Sequence, residues 1–151
     1  AALGLRHILA GSVETAAARV FLQPEPRLAL GAALRGVASA AIDVSDGLLA
    51  DAGHIAERSG VAIVVEPARL PLAAELAQLA DRDDALSLAL GGGDDYELCF
   101  TVAPTRAAEI MAMANELGLA CTRIGRVEQG AGVRAAGFVP QRAGYRHFTG
   151  A

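Results

Sequence analysis

Between Ala40 and Asp51 the chain changes its hydrophobic period. Ala40, Ile42 and Val44 alternate with Ala41, Asp43 and Ser45, the two-residue repeat of a short strand with one buried face. From Leu48 onward the repeat is helical, with Leu48, Leu49, Ala52, Ile55 and Ala56 falling on one face. The spacing predicts a strand that runs into a helix at Ser45-Asp46. Asp43 and Ser45 then share a strand face, Ser45 is the candidate N-cap, Asp46 sits in the first turn, and Gly47 is a tolerated breaker.

The flanking segments read as helices and further strands. Ala1 to Ala10, Val13 to Leu22 and Arg27 to Leu34 have helical spacing, interrupted at Gln23-Pro24-Glu25-Pro26 and stopped by Gly36. Val61 to Glu66 is short and β-branched, hence a strand, and Pro67 to Pro71 is a connection. Leu72 to Ala80 and Asp84 to Leu90 read as helices separated by the charged turn Asp81-Arg82-Asp83, the second stopping at Gly91-Gly92-Gly93. Tyr96 to Val102 alternates as a strand, with Tyr96, Leu98, Phe100 and Val102 on one face. Pro104 opens a helix with Ala107, Ile110, Met111, Ala114 and Leu117 inward, ending at Gly118. Leu119 to Val127 and Gly132 to Pro140 are candidates for two more strands. The expected fold is therefore α+β, a mixed β-sheet covered by helices in one domain over residues 1–151, with leading helices in 1–36 and a sheet-containing core in 37–151.

Composition narrows the chemistry. A chain 53% hydrophobic and 20% charged is globular. No apolar run approaches the roughly 18 residues of a membrane span, and no charged-then-apolar leader is present. With a net charge of -4 and no basic patch, nucleic acid is not the expected partner. Cys99 and Cys121 lie in apolar, strand-like segments and read as free buried thiols, which suits the cytoplasm; three scattered histidines and no CxxC argue against zinc. All 13 basic residues are arginine, which excludes a P-loop lysine, a Schiff-base lysine and a lysine general base. The chain begins without methionine, directly in helix-like sequence, and is expected to be part of a longer protein.

Five of the eight aspartates fall in two short stretches. In the first, Asp43, Ser45 and Asp46 converge on a helix start. Ser-Asp-Gly also serves as a simple cap, but a cap does not need a second carboxylate three residues earlier; two carboxylates and a hydroxyl there suit a hard cation and the phosphate it carries. The second is Gly91-Gly92-Gly93-Asp94-Asp95-Tyr96-Glu97-Leu98. Its glycines let the backbone approach a ligand, and its carboxylates favour a metal or a ligand with cationic or amino-group donors over bare phosphate; a flexible turn with solvated aspartates is the plain alternative.

These residues carry a resemblance. Asp43-Val44-Ser45-Asp46-Gly47-Leu48 with Asp51-Ala52-Gly53-His54-Ile55, then Gly92-Gly93-Asp94-Asp95-Tyr96-Glu97-Leu98, then Gly144-Tyr145-Arg146-His147-Phe148, resemble the C-terminal domain of the thiamine-monophosphate kinases, in the same order and from about Arg27 onward. The first motif alone is shared loosely with ATP-using synthetases of the aminoimidazole ribonucleotide synthetase superfamily, whose C-terminal domain supplies the expected fold. The resemblance implies an enzyme that phosphorylates thiamine phosphate to thiamine diphosphate with ATP and Mg2+, by direct transfer without a phosphoenzyme. It implies Asp43 and Asp46 as magnesium ligands, Ser45 as a nucleotide contact, and Asp94 and Tyr145 as thiamine phosphate contacts; the family's loop often carries Glu where this chain has Asp94. It assigns no catalytic residue to this chain, and it implies an N-terminal domain with most of the remaining metal and nucleotide contacts and a full-length homodimer. Another ATP-dependent synthetase of the superfamily, or a non-catalytic small-molecule-binding or dimerisation domain, are the alternative readings.

Overall fold

The computed structural model describes residues 1–141, 144 and 145. Helices α1 (Ala2–Leu9), α2 (Ala16–Leu22) and α3 (Leu28–Ala33) lead into strand β1 (Ala40–Asp43), helix α4 (Leu48–Ser59) and strand β2 (Ala62–Val65). Helices α5 (Ala74–Ala77) and α6 (Arg82–Gly91), strand β3 (Leu98–Thr101), helix α7 (Ala107–Glu116) and strands β4 (Gly125–Glu128) and β5 (Gly132–Ala135) complete the order.

The expected mixed sheet is built around β2, which pairs antiparallel with β4 and parallel with β5. Strands β1 and β3 form a separate antiparallel pair, with Ala40 opposite Thr101 and Asp43 opposite Leu98. Helix α4 accounts for the split. It packs on β1 and also on β2 and β5, so its apolar faces fill the space between the two sheets. Val44, Leu48, Leu49, Ala52, Ile55, Ala56, Ile63, Val65 and Leu90 form this inner cluster, with Ile42, Cys99 and Val133 packed against it. The central strand β2 is buried along its whole length, which its β-branched run Ile63-Val64-Val65 suits. The opposite face of the β1–β3 pair is covered by α3 and α7 through Leu30, Leu34, Ile110 and Ala114 against Leu98 and Phe100.

Several boundaries differ from the sequence reading. Helix α4 starts at Leu48, two residues later than expected, with Gly47 at its N-cap in a φ of 117°. Ser45 therefore does not cap the helix, and Gly47 is not a tolerated breaker but a residue whose backbone only glycine adopts readily. The Asp81-Arg82-Asp83 turn is instead the start of α6, whose first amides, Asp83 and Asp84, donate to the Asp81 side chain. The helix expected over Leu72 to Ala80 is a single turn, α5. In α7 the buried stripe is Ile110 and Ala114 alone, while Met111 and Leu117, expected inward, are exposed. That helix meets α3 along one narrow line; Met111 lies about 100° around from Ile110 and misses it, and Leu117 falls beyond the last helical residue, Glu116.

Leu90 has no exposed surface and closes the inner cluster from α6. Leu90→Ala is expected to cost about 2–5 kcal/mol, read as a drop in the urea midpoint at unchanged slope. A cost below about 1 kcal/mol would mean that α6 does not seal that core.

Candidate functional site

The loop from Val44 to Gly47 is the meeting point of all three motifs. Beyond the β1–β3 ladder the two strands keep pairing: the Val44 amide donates to the Glu97 carbonyl at 2.8 Å, and the Tyr96 amide donates to the Val44 carbonyl at 2.8 Å. One residue further on, the Asp94 amide donates to the Ser45 carbonyl at 2.9 Å. From the far end of the chain, the Tyr145 amide donates to the Asp46 carbonyl at 2.8 Å. The Asp94 contact depends on glycine at 93, where a Cβ would lie 2.2 Å from the Ser45 carbonyl oxygen.

The amides of the same loop turn inward. Those of Ser45, Asp46 and Gly47 all donate to Oδ2 of Asp51, at 3.0, 3.0 and 3.1 Å. Asp51 lies in the first turn of α4 and is 2% exposed, the single buried charged side chain among the described residues. Its carboxylate answers the amide of the N-cap residue Gly47 and those of the two loop residues before it. Burial pushes the Asp51 carboxyl above the usual carboxylate range, the three amides pull the other way, and the negative charge of Asp46 adds to the upward push.

The side chains named from the sequence are thus carried on neighbouring backbone. Asp43 is exposed at the end of β1, Ser45 and Asp46 are half-buried, and Asp94 and Tyr145 are exposed. Arg146, His147 and Phe148 lie outside the described residues. Asp94 and Tyr96 have φ of 63° and 52°, so the chain between them is sharply coiled. Tyr96 is therefore not part of the strand, contrary to the alternation that placed it beside Leu98; its hydroxyl turns back to donate to Asp94 Oδ1 at 3.4 Å. Glu97, next along, forks against Arg27, whose Nη2 lies 2.7 Å from its carboxylate.

Asp51 and Tyr96 are the residues that pattern reading missed. Asp51 left a signal: it stands three residues after Leu48 and four before Ile55, on the apolar stripe of α4, where a carboxylate must be paired. Tyr96 left none, since nothing in its type announces a positive φ. Cys99 and Cys121 are both free, as expected. Burial pushes the Cys99 thiol up to about 11, with the Asp51 carboxylate adding to it, so it is a protonated packing residue and not a nucleophile.

Among the described residues no three His, Cys, Asp or Glu side chains come together as a metal shell. Asp43 and Asp46 are two carboxylates on one short segment, which is what this chain offers to a cation. Magnesium is commonly held by one or two carboxylates with waters and substrate phosphates completing the octahedron, so the pair fits a magnesium–phosphate complex and not an all-protein cage. No helix among the described residues is long and apolar enough to cross a membrane.

Known proteins resemble the chain along most of its length. Residues 6–137 match the family described as AIR synthase related protein, C-terminal domain. The chain is 44% identical over 136 residues to the thiamine-monophosphate kinase of Haemophilus influenzae, which covers 87% of this chain and 42% of that enzyme. It superposes on the crystal structure of thiamine-monophosphate kinase from Stenotrophomonas maltophilia with a TM-score of 0.82 at 47% identity, covering 91% of this chain and 47% of the other. A second solved structure, AaThiL complexed with AMPPCP and TMP, matches with a TM-score of 0.78 at 35% identity over 96% of this chain and 47% of the other. The chain thus spans less than half the length of these relatives, and the resemblance drawn from its three motifs holds along nearly all of it. On these grounds the chain belongs to the family of AIR synthase related proteins, as their C-terminal domain.

Proposed function

We propose that this chain is the C-terminal half of a cytoplasmic, homodimeric two-domain kinase that phosphorylates thiamine phosphate to thiamine diphosphate with Mg-ATP. The observation that carries the reading is the convergence of three sequence-distant motifs on one loop, through the Asp94 and Tyr145 amides on the Ser45 and Asp46 carbonyls. A relative of the same fold carries TMP and AMPPCP together, which fits a site with one nucleotide side and one thiamine side.

In this reading the chain's residues divide the work. Asp43 and Asp46 hold magnesium by their carboxylates, and the Ser45 hydroxyl bonds the nucleotide. When bound, magnesium neutralises charge on the phosphates and favours in-line displacement. Asp94 accepts from the amino group of the thiamine pyrimidine, and the exposed ring of Tyr145 stacks beside the cationic thiazolium. The acceptor phosphate is already an anion, so none of these residues has to remove a proton from it. Their contribution is orientation and charge, which is most of what phosphoryl transfer asks of a protein. The remaining contacts come from the other half, so the isolated chain folds without catalysing.

The direct test is turnover by the full-length protein. Thiamine diphosphate should form from thiamine phosphate and Mg-ATP, with ADP released in equal amount and no phosphorylated protein intermediate; the chain of 151 residues alone should give the rate of a buffer blank. Absence of thiamine diphosphate with the full-length protein would sink the reading.

In that protein Asp46→Asn is expected to lower kcat/KM at limiting magnesium by more than the about 10- to 100-fold that loss of a supporting partner costs a metal site. Its stability should change by no more than about 1 kcal/mol, because the backbone bonds of residue 46 remain. Near-normal activity at low magnesium would leave Asp46 as a loop residue only.

Asp94→Asn and Tyr145→Ala should act on the other substrate. Calorimetric titration is expected to show thiamine phosphate binding weakened by roughly 10- to 150-fold for the first, the value of a charged hydrogen bond, and by less for the second. Mg-ATP binding should barely move in either. An Asp94→Asn protein with weakened Mg-ATP binding alone would put that carboxylate on the metal.

A further inference from the structure

We propose that Asp51 is a positioning residue that ties the two substrate sides together while touching neither, a proposal that rests on the kinase reading for the identity of the ligands. Across residues 44 to 47 every backbone polar group has an intramolecular partner. The amides of Ser45, Asp46 and Gly47 go to Asp51 Oδ2, and that of Val44 to the Glu97 carbonyl. The carbonyls of Val44, Ser45, Asp46 and Gly47 accept from the amides of Tyr96, Asp94, Tyr145 and Asp51. Two consequences follow.

First, the three consecutive amides before the helix, those of Ser45, Asp46 and Gly47, are filled by a buried carboxylate and do not themselves form a nest for an anion. Second, one carboxylate fixes the direction of three consecutive peptide units. With their amides drawn inward to Asp51, the Ser45 and Asp46 carbonyls point to where Asp94 and Tyr145 hang from them. A shift of that loop moves Asp46, on the metal side, and Asp94 and Tyr145, on the thiamine side, at once. Misplacement by about an ångström is enough to cost roughly 100-fold in a positioned site.

The test uses the full-length protein with Asp51→Asn, which keeps one acceptor oxygen without charge, and Asp51→Ala, which keeps neither. Binding of a magnesium complex of a non-hydrolysable ATP analogue and of thiamine phosphate is measured separately for each. Both affinities are expected to fall together, by about 10- to 100-fold in Asp51→Ala and by about 3- to 10-fold in Asp51→Asn. A folded Asp51→Ala protein that keeps either affinity within about two-fold of the parent overturns the proposal. Should Asp51→Ala not fold, Asp51→Asn decides, and a loss confined to one ligand, or absent for both, overturns it equally. Amide hydrogen exchange gives a readout that needs no ligand. In the variants the amides of Asp94 and Tyr145, which do not bond Asp51, should exchange at least about 10-fold faster, while the Ser39 amide on Thr101 keeps its protection. Unchanged exchange at Asp94 and Tyr145 overturns the coupling. A parent protein that binds neither ligand defeats the kinase reading, and hydrogen exchange at Asp94 and Tyr145 then decides the role of Asp51 by itself.

Discussion

A chain that leaves a strand and enters a helix within four residues must place a set of amides that neither element can pair. Here one buried carboxylate takes three of them, on Ser45, Asp46 and Gly47. Burial of a charge is costly unless hydrogen bonds compensate it, and three amides on a single oxygen offset part of that cost. The geometry leaves the loop no choice of direction. Its amides face the core, and its carbonyls face the two segments that bind to them, the glycine-rich loop and the stretch at Gly144-Tyr145. Local capping and long-range assembly are the same event at this point of the fold.

The rest of the architecture keeps that loop fixed from both sides. Helix α4 carries Asp51 on the stripe that also buries Leu48, Ala52 and Ile55, so the carboxylate cannot leave without disturbing the core between the two sheets. Strand β3 holds the other edge, and its ladder with β1 extends past the regular strands as far as Val44 and Glu97. Gly47 and Gly93 fit this frame because the chain passes so close: a Cβ at either would press on the backbone of Gly91 or Ser45.

Much of this is legible in the order of the residues. The change from a two-residue to a helical period locates β1 and α4, the β-branched run locates β2, and clustering of aspartates singles out the two loops that meet. Where the pattern misleads, the reason is physical. Alternation extends β3 back to Tyr96 because it cannot see a positive φ in a residue that rarely adopts one. Ser45 looks like a cap because serine usually is one, whereas the actual acceptor sits one turn inside the helix. Met111 and Leu117 read as inward because hydrophobicity marks what can be buried, not which neighbour arrives to bury it. The approach of Tyr145 to Asp46, separated by 99 positions, has no local signature at all.

The charges of the chain point the same way as its hydrogen bonds. Arg6, Arg27, Arg69, Arg106, Arg126 and Arg134 are each in an ion pair with an aspartate or glutamate. Such exposed pairs add little stability, but they occupy guanidinium groups that could otherwise receive a phosphate. The amides of Ser45, Asp46 and Gly47 are likewise taken, by Asp51. In the kinase reading proposed above, a chain of net charge -4 with these donors engaged would meet a phosphate by way of a cation. In that reading Asp43 and Asp46 would hold the cation, and the anionic substrate would bind by way of it. Two carboxylates would suffice for that, because magnesium commonly takes the rest of its shell from water and phosphate oxygens.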